Sequence, residues 1–116
     1  MQELSPGIWA GKCSEPFPGV RIDLRRMPDR QEDPAAQRAR IEEYHRWAAR
    51  LRRKGREVAF CCAQGRSRSM VVAALFLIRC GETPPPVSPS PGLDRIYTWL
   101  ENVYRTRGPD IHLEDP

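Results

Sequence analysis

Lysine is scarce in this chain of 116 residues. Lys12 and Lys54 are the only two, so the net charge of +4 rests almost wholly on arginine. The arginines are scattered rather than gathered in one stripe, which leaves nucleic acid a possible but not a favoured partner, while a positive surface still draws anionic substrates. Long hydrophobic runs are also missing. Met70 to Ile78 is the longest uncharged apolar stretch, far too short to cross a bilayer, and no apolar segment follows Met1-Gln2-Glu3-Leu4. No secretory signal and no membrane span are therefore expected, and the expected location is cytoplasmic. Histidine is limited to His45 and His112, and these with Cys13, Cys61, Cys62 and Cys80 show none of the paired spacings of tetrahedral zinc sites. Neither a metal nor an organic cofactor is expected. Two of the cysteines are adjacent and no export signal accompanies them, so reduced thiols are expected rather than a disulfide-stapled scaffold. No internal repeat is visible.

What is present fits one domain with one modest core, since hydrophobic residues make up 40% of the chain. Pro6 to Gly11 reads as a short opening strand between turn residues, and Gly19 to Leu24 alternates as a second strand. Asp33-Pro34 reads as a helix cap followed by proline at the first helical position, opening a helix to about Lys54 before Gly55. Ile41, Tyr44, Ala48 and Leu51 share its apolar face, Trp47 borders it, and His45 is placed at the surface or boundary. Val58 to Cys61 reads as a buried strand, and the apolar run from Met70 to Ile78 as a buried helix. Thr83 to Gly92 is too rich in proline for a helix interior, yet Leu93, Ile96, Tyr97, Leu100, Val103 and Tyr104 then recur at helical spacing. The pattern predicts an α/β fold over residues 1–106, a small, mostly parallel central sheet of about three to five strands flanked by helices. Residues 107–116 have little to bury and read as a flexible tail.

The chemistry gathers at the junction of the buried strand and the buried helix. Cys62 and Arg68 bracket the loop Ala63-Gln64-Gly65-Arg66-Ser67. A thiolate and a guanidinium at this separation can hold a phosphate dianion from two sides, with loop amides and the helix N-terminus directed at the same anion. Gly65 permits the tight turn, and Ser69 can donate a hydroxyl to the sulfur. The loop is thus expected to bind phosphate, sulfate or vanadate through Ala63 to Arg68.

This stretch resembles the signature loop of the cysteine-dependent protein phosphatases, especially the compact dual-specificity branch, whose pattern is His-Cys-x-x-Gly-x-x-Arg-Ser. Cys62, Gly65, Arg68 and Ser69 match, whereas Cys61 stands in place of the histidine. Ser88 to Leu93 also resembles the proline-rich segment before the last helix of that family. The resemblance implies hydrolysis of phosphate monoesters on phosphorylated protein or peptide substrates, through a phosphocysteine intermediate. Cys62 would be the nucleophile, Arg68 the phosphate clamp, and Ser69 an aid to departure of the sulfur. It further implies an aspartate acid on a loop upstream of the cysteine, for which three candidates stand 39, 33 and 29 residues before Cys62: Asp23, Asp29 and Asp33. Asp29 is preferred, because Met27-Pro28-Asp29 resembles the Trp-Pro-Asp loop of tyrosine phosphatases and Asp33 already caps a helix. Replacement of histidine by Cys61 implies weakened activity or a raised thiol pKa. Two other readings stay open: a phosphate-binding module with little or no turnover, and a 5′-triphosphatase acting on RNA.

Overall fold

The computed structural model describes residues 1–28 and 32–113. The strands are β1 (Gln2–Ser5), β2 (Ile8–Lys12), β3 (Val20–Asp23) and β4 (Val58–Cys62), and the helices are α1 (Pro34–Arg53), α2 (Arg68–Arg79) and α3 (Asp94–Arg107). They build one mixed sheet in the order β1-β2-β4-β3. β4 runs parallel to both neighbours, while β1 pairs antiparallel with β2. β1 was not legible as a strand, since its four residues are exposed or half-buried and its first two point to no core.

β4 is buried along its whole length because it is the central parallel strand, with β2 and β3 on its edges and α1 and α2 packed against it. Phe60 meets Phe76 and His45 on the helical side. Alternation then turns Cys62 toward the helices and Ala59 and Cys61 toward the other side of the sheet. On that second side Trp9 of β2 makes an edge contact with Phe17 from the chain between β2 and β3. α2 touches β2, β4, α1 and α3. A helix so enclosed must be apolar on every side, which explains the unbroken run from Val71 to Ile78.

α1 opens as expected, with the Asp33 side chain accepting from the Ala36 N–H at 3.0 Å and Pro34 at the first position. Its buried face holds Gln37, Ile41, His45, Ala48 and Ala49. His45 is therefore a core residue, 0% exposed, and not a surface or boundary one. Its Nε2 lies 2.9 Å from the Val72 carbonyl and its Nδ1 3.0 Å from Arg79 Nη1. Nδ1 must accept from the guanidinium, so Nε2 carries the proton and donates to the carbonyl. Burial, then the charge of Arg79, drives the imidazole pKa down to about 3, against a smaller opposing pull from Val72. Trp47 and Trp99 stay exposed, the latter stacked beneath Arg38.

Residues 108–113 return along α2. Arg79 pairs with Asp110 at 3.0 Å, the Asp110 N–H donates to the Arg79 carbonyl, and Leu113 enters the core at 5% exposure. The segment thus has more to bury than its composition suggests, because one leucine and one aspartate find partners already waiting on α2. Among the described residues, no helix is long and apolar enough to cross a membrane.

Candidate functional site

Cys62 ends β4 and is 1% exposed, facing the first turn of α2. The loop that follows exposes Ala63, Gln64 and Arg66 and leaves Gly65 and Ser67 half-buried. Gly65 folds it back, its N–H donating to Cys62 Sγ at 3.2 Å. The turn requires φ of +69° at Gly65, and a Cβ there would sit 2.7 Å from Lys12 N and 2.8 Å from the Gly11 carbonyl carbon. Only glycine meets both conditions. The end of β2 is accordingly the wall against which the loop rests.

Burial by itself pushes the Cys62 thiol up. The Ser69 hydroxyl, the backbone N–H groups of Ser69 and Gly65, and the Arg68 guanidinium outweigh it, so the thiol lies below its ordinary value. The Ser69 hydroxyl is fully buried without a hydrogen bond of regular geometry. Its pull on the sulfur is therefore one of proximity, and the Gly65 amide is the better-formed contact.

Arg68 starts α2, and its Nη1 donates to the Arg25 carbonyl at 3.0 Å and the Met27 carbonyl at 3.1 Å. Two protons of the fork are thereby used to fix its direction. Among the described residues, Nε and Nη2 have no partner, which leaves the edge that suits two oxygens of one phosphoryl group. Ser67 does not cap α2 with its side chain; its Oγ accepts from the Ser90 N–H at 3.0 Å. The proline-rich segment before α3 is thus bonded to the loop.

The three aspartates separate. Asp23, at the end of β3, is paired with Arg25 at 2.6 Å, and hydrogen bonding from that guanidinium holds its carboxyl below the usual range despite partial burial. A carboxyl so held is a poor proton donor. Asp33 is occupied as the α1 cap. Asp29 lies outside the described residues, two positions beyond Met27, whose carbonyl holds Arg68.

The expectation of reduced thiols is corrected by a disulfide between Cys13 and Cys61, with Cα atoms 4.8 Å apart, while Cys62 and Cys80 are outside any disulfide. Cys61 faces away from the helical core because it neighbours Cys62 on a strand, and Cys13 lies where β2 ends beside it. Cys13, Asp23 and Cys61 bring ligand-type atoms within 4.8 Å of one another, but the two sulfurs are bonded to each other and not poised as metal ligands. Arg25, Met27, Gly11, Lys12, Cys13 and Ser90 all support the loop through contacts remote in sequence. Most act through backbone groups, which leave no residue-type signal. No protein-family model, curated protein or solved structure matches the chain.

Proposed function

We propose that the chain is a phosphatase that hydrolyses phosphate monoesters on phosphorylated protein through a phosphocysteine intermediate. One observation carries this reading: a buried sulfur with a lowered pKa accepts a loop amide, beside an arginine whose Nη1 is fixed by two backbone carbonyls. Cys62 thiolate attacks phosphorus while the loop amides and the free edge of Arg68 hold the equatorial oxygens. These contacts tighten as the phosphoryl group flattens, which lowers the barrier rather than merely the ground state. Asp29 protonates the departing alkoxide or phenoxide, and as a carboxylate it then takes a proton from water attacking the phosphocysteine. Orthophosphate leaves and the thiolate is restored, with Ser69 beside the sulfur to receive it. Arg66, exposed at the rim, meets the substrate outside the phosphoryl group.

The expected result is hydrolysis of an aryl phosphate in the presence of chelator, blocked by vanadate. Cys62→Ser is expected to lower turnover more than about a thousandfold while phosphate still binds. Turnover that survives this substitution overturns the mechanism, and phosphate binding with no turnover in the unaltered chain assigns it to the binding modules. Asp29→Ala is expected to cost about a hundredfold with alkyl phosphates and less than about tenfold with activated aryl phosphates, since only the former need the proton. Equal losses place the acid elsewhere.

A further inference from the structure

We propose that the Cys13–Cys61 disulfide is a reversible clamp that positions the anion-binding loop, so that its reduction by a dithiol weakens the site. The inference rests on the reading of that loop as an anion site. Three contacts converge on Cys13 and its predecessor. The Cys13 N–H donates to the Cys62 carbonyl at 3.0 Å, the Cys13 sulfur is joined to Cys61, and Lys12 and Gly11 form the wall against Gly65. The residue before the nucleophile, the nucleophile's own carbonyl and the turn that donates to its sulfur are thus all tied to one short stretch of β2. With the bridge present, the end of β2 cannot shift without moving the loop. With the bridge open, the parallel pairing of β2 with β4 and the Cys13–Cys62 backbone bond remain, but no covalent tie fixes the end of β2 against the loop.

The bridge is placed for exchange. Cys13 is half-exposed and Cys61 is buried, so an external thiolate reaches the Cys13 sulfur first. That attack forms a mixed disulfide on Cys13 and releases Cys61 as the leaving thiol. The second thiol of the reductant then closes its own ring and frees Cys13. Two electrons pass from the dithiol to the protein, and the two protons end on Cys13 and Cys61. Cys62, on the other side of the sheet, takes no part in the exchange.

Wild-type protein in both redox states supplies the test, with Cys13→Ala/Cys61→Ala as the permanently open form. The charged group acting on Cys62 from α2 is Arg68, and Lys12 stands behind Gly65 at the end of β2; Asp23, at the end of β3, faces Cys13 instead and is paired with Arg25. Alkylation of Cys62 by iodoacetamide, followed by peptide mapping across pH, reads the sulfur directly and needs no turnover. On reduction the alkylation midpoint is expected to rise by about one pH unit and affinity for inorganic phosphate to fall about tenfold, the size of losing one charge-assisted hydrogen bond. Reoxidation should restore both, and the double variant should match the reduced protein and ignore the dithiol. Equal midpoints and affinities in the two states overturn the clamp. So does loss of the far-ultraviolet helix signal on reduction, because the bridge would then staple the whole fold. A shifted midpoint in a protein that turns over no phosphate ester supports the clamp and removes only the phosphatase reading.

Discussion

Cys62 and His45 are both enclosed by β4 and α2, and both have lowered pKa values, yet the shifts lead to opposite chemistry. Lowering a thiol favours its charged form, whereas lowering an imidazole favours its neutral form. At Cys62, donors surround the sulfur: a loop amide, the first turn of a helix and a guanidinium. At His45, a guanidinium again lies close, but there the charge it meets would be of its own sign, so burial and repulsion act together. The difference teaches that burial sets the scale of a perturbation and the neighbouring dipoles set its use. One group is shifted toward its charged form; the other is made a neutral strut between α1 and α2.

The comparison can be broken from either side. Among changes that leave the reacting groups in place, Gly65→Ala gives the largest expected effect, since its methyl group meets the backbone of Gly11 and Lys12 and its φ is positive. A loss of about 10–100-fold in turnover with about 1–3 kcal/mol of stability is expected, measured by aryl phosphate kinetics and urea unfolding. Unchanged kinetics would detach the loop from the wall of β2. His45→Leu should do the reverse, leaving the Cys62 alkylation midpoint in place while removing about 1–3 kcal/mol of stability through the deserted Arg79 and Val72 groups.

The smallest effect is one of pH. His45 has a folded-state pKa of about 3 against an ordinary 6.5, so the unfolded chain takes up the proton first as pH falls. The stability is fully present above pH 6.5 and declines below it, by roughly 1.4 kcal/mol per unit. The partly buried carboxylates Glu42 and Glu82 have lowered pKa values from an ordinary 4.5, so the upper part of the interval from 6.5 to 4.5 isolates the imidazole. Urea midpoints across that interval should slope in the wild type and flatten in His45→Leu; parallel slopes would assign the proton uptake to another group.

Much of the fold was legible where local chemistry and tertiary packing agree. Asp33-Pro34 announces α1 because a carboxylate cap and a preset φ act within one turn, and Val71 to Ile78 announces a helix buried on all sides. His45 misled because residue type suggests a boundary, while its place four residues after Ile41 puts it on the buried face, where Val72 and Arg79 satisfy it. β1 was invisible because an edge strand with little burial carries almost no pattern. The short chain from 108 to 113 looked idle because its partners, Arg79 and the core around Leu113, belong to another element.

At the site the division follows the range of the forces. Spacing within a single strand, turn and helix gathered Cys62, Gly65, Arg68 and Ser69 on one loop and its helix start, because covalent connection and local backbone geometry act over a few residues. Asp23 could be set aside only once its pairing with Arg25 was seen. The carbonyls that steer Arg68, the wall behind Gly65 and the sulfur bridge from Cys13 to Cys61, itself spanning 48 residues, all come from chain segments remote in sequence. Such contacts depend on which strands lie side by side in the sheet, and the order β2-β4-β3 is decided by the packing of the whole core rather than by any stretch of residues within it.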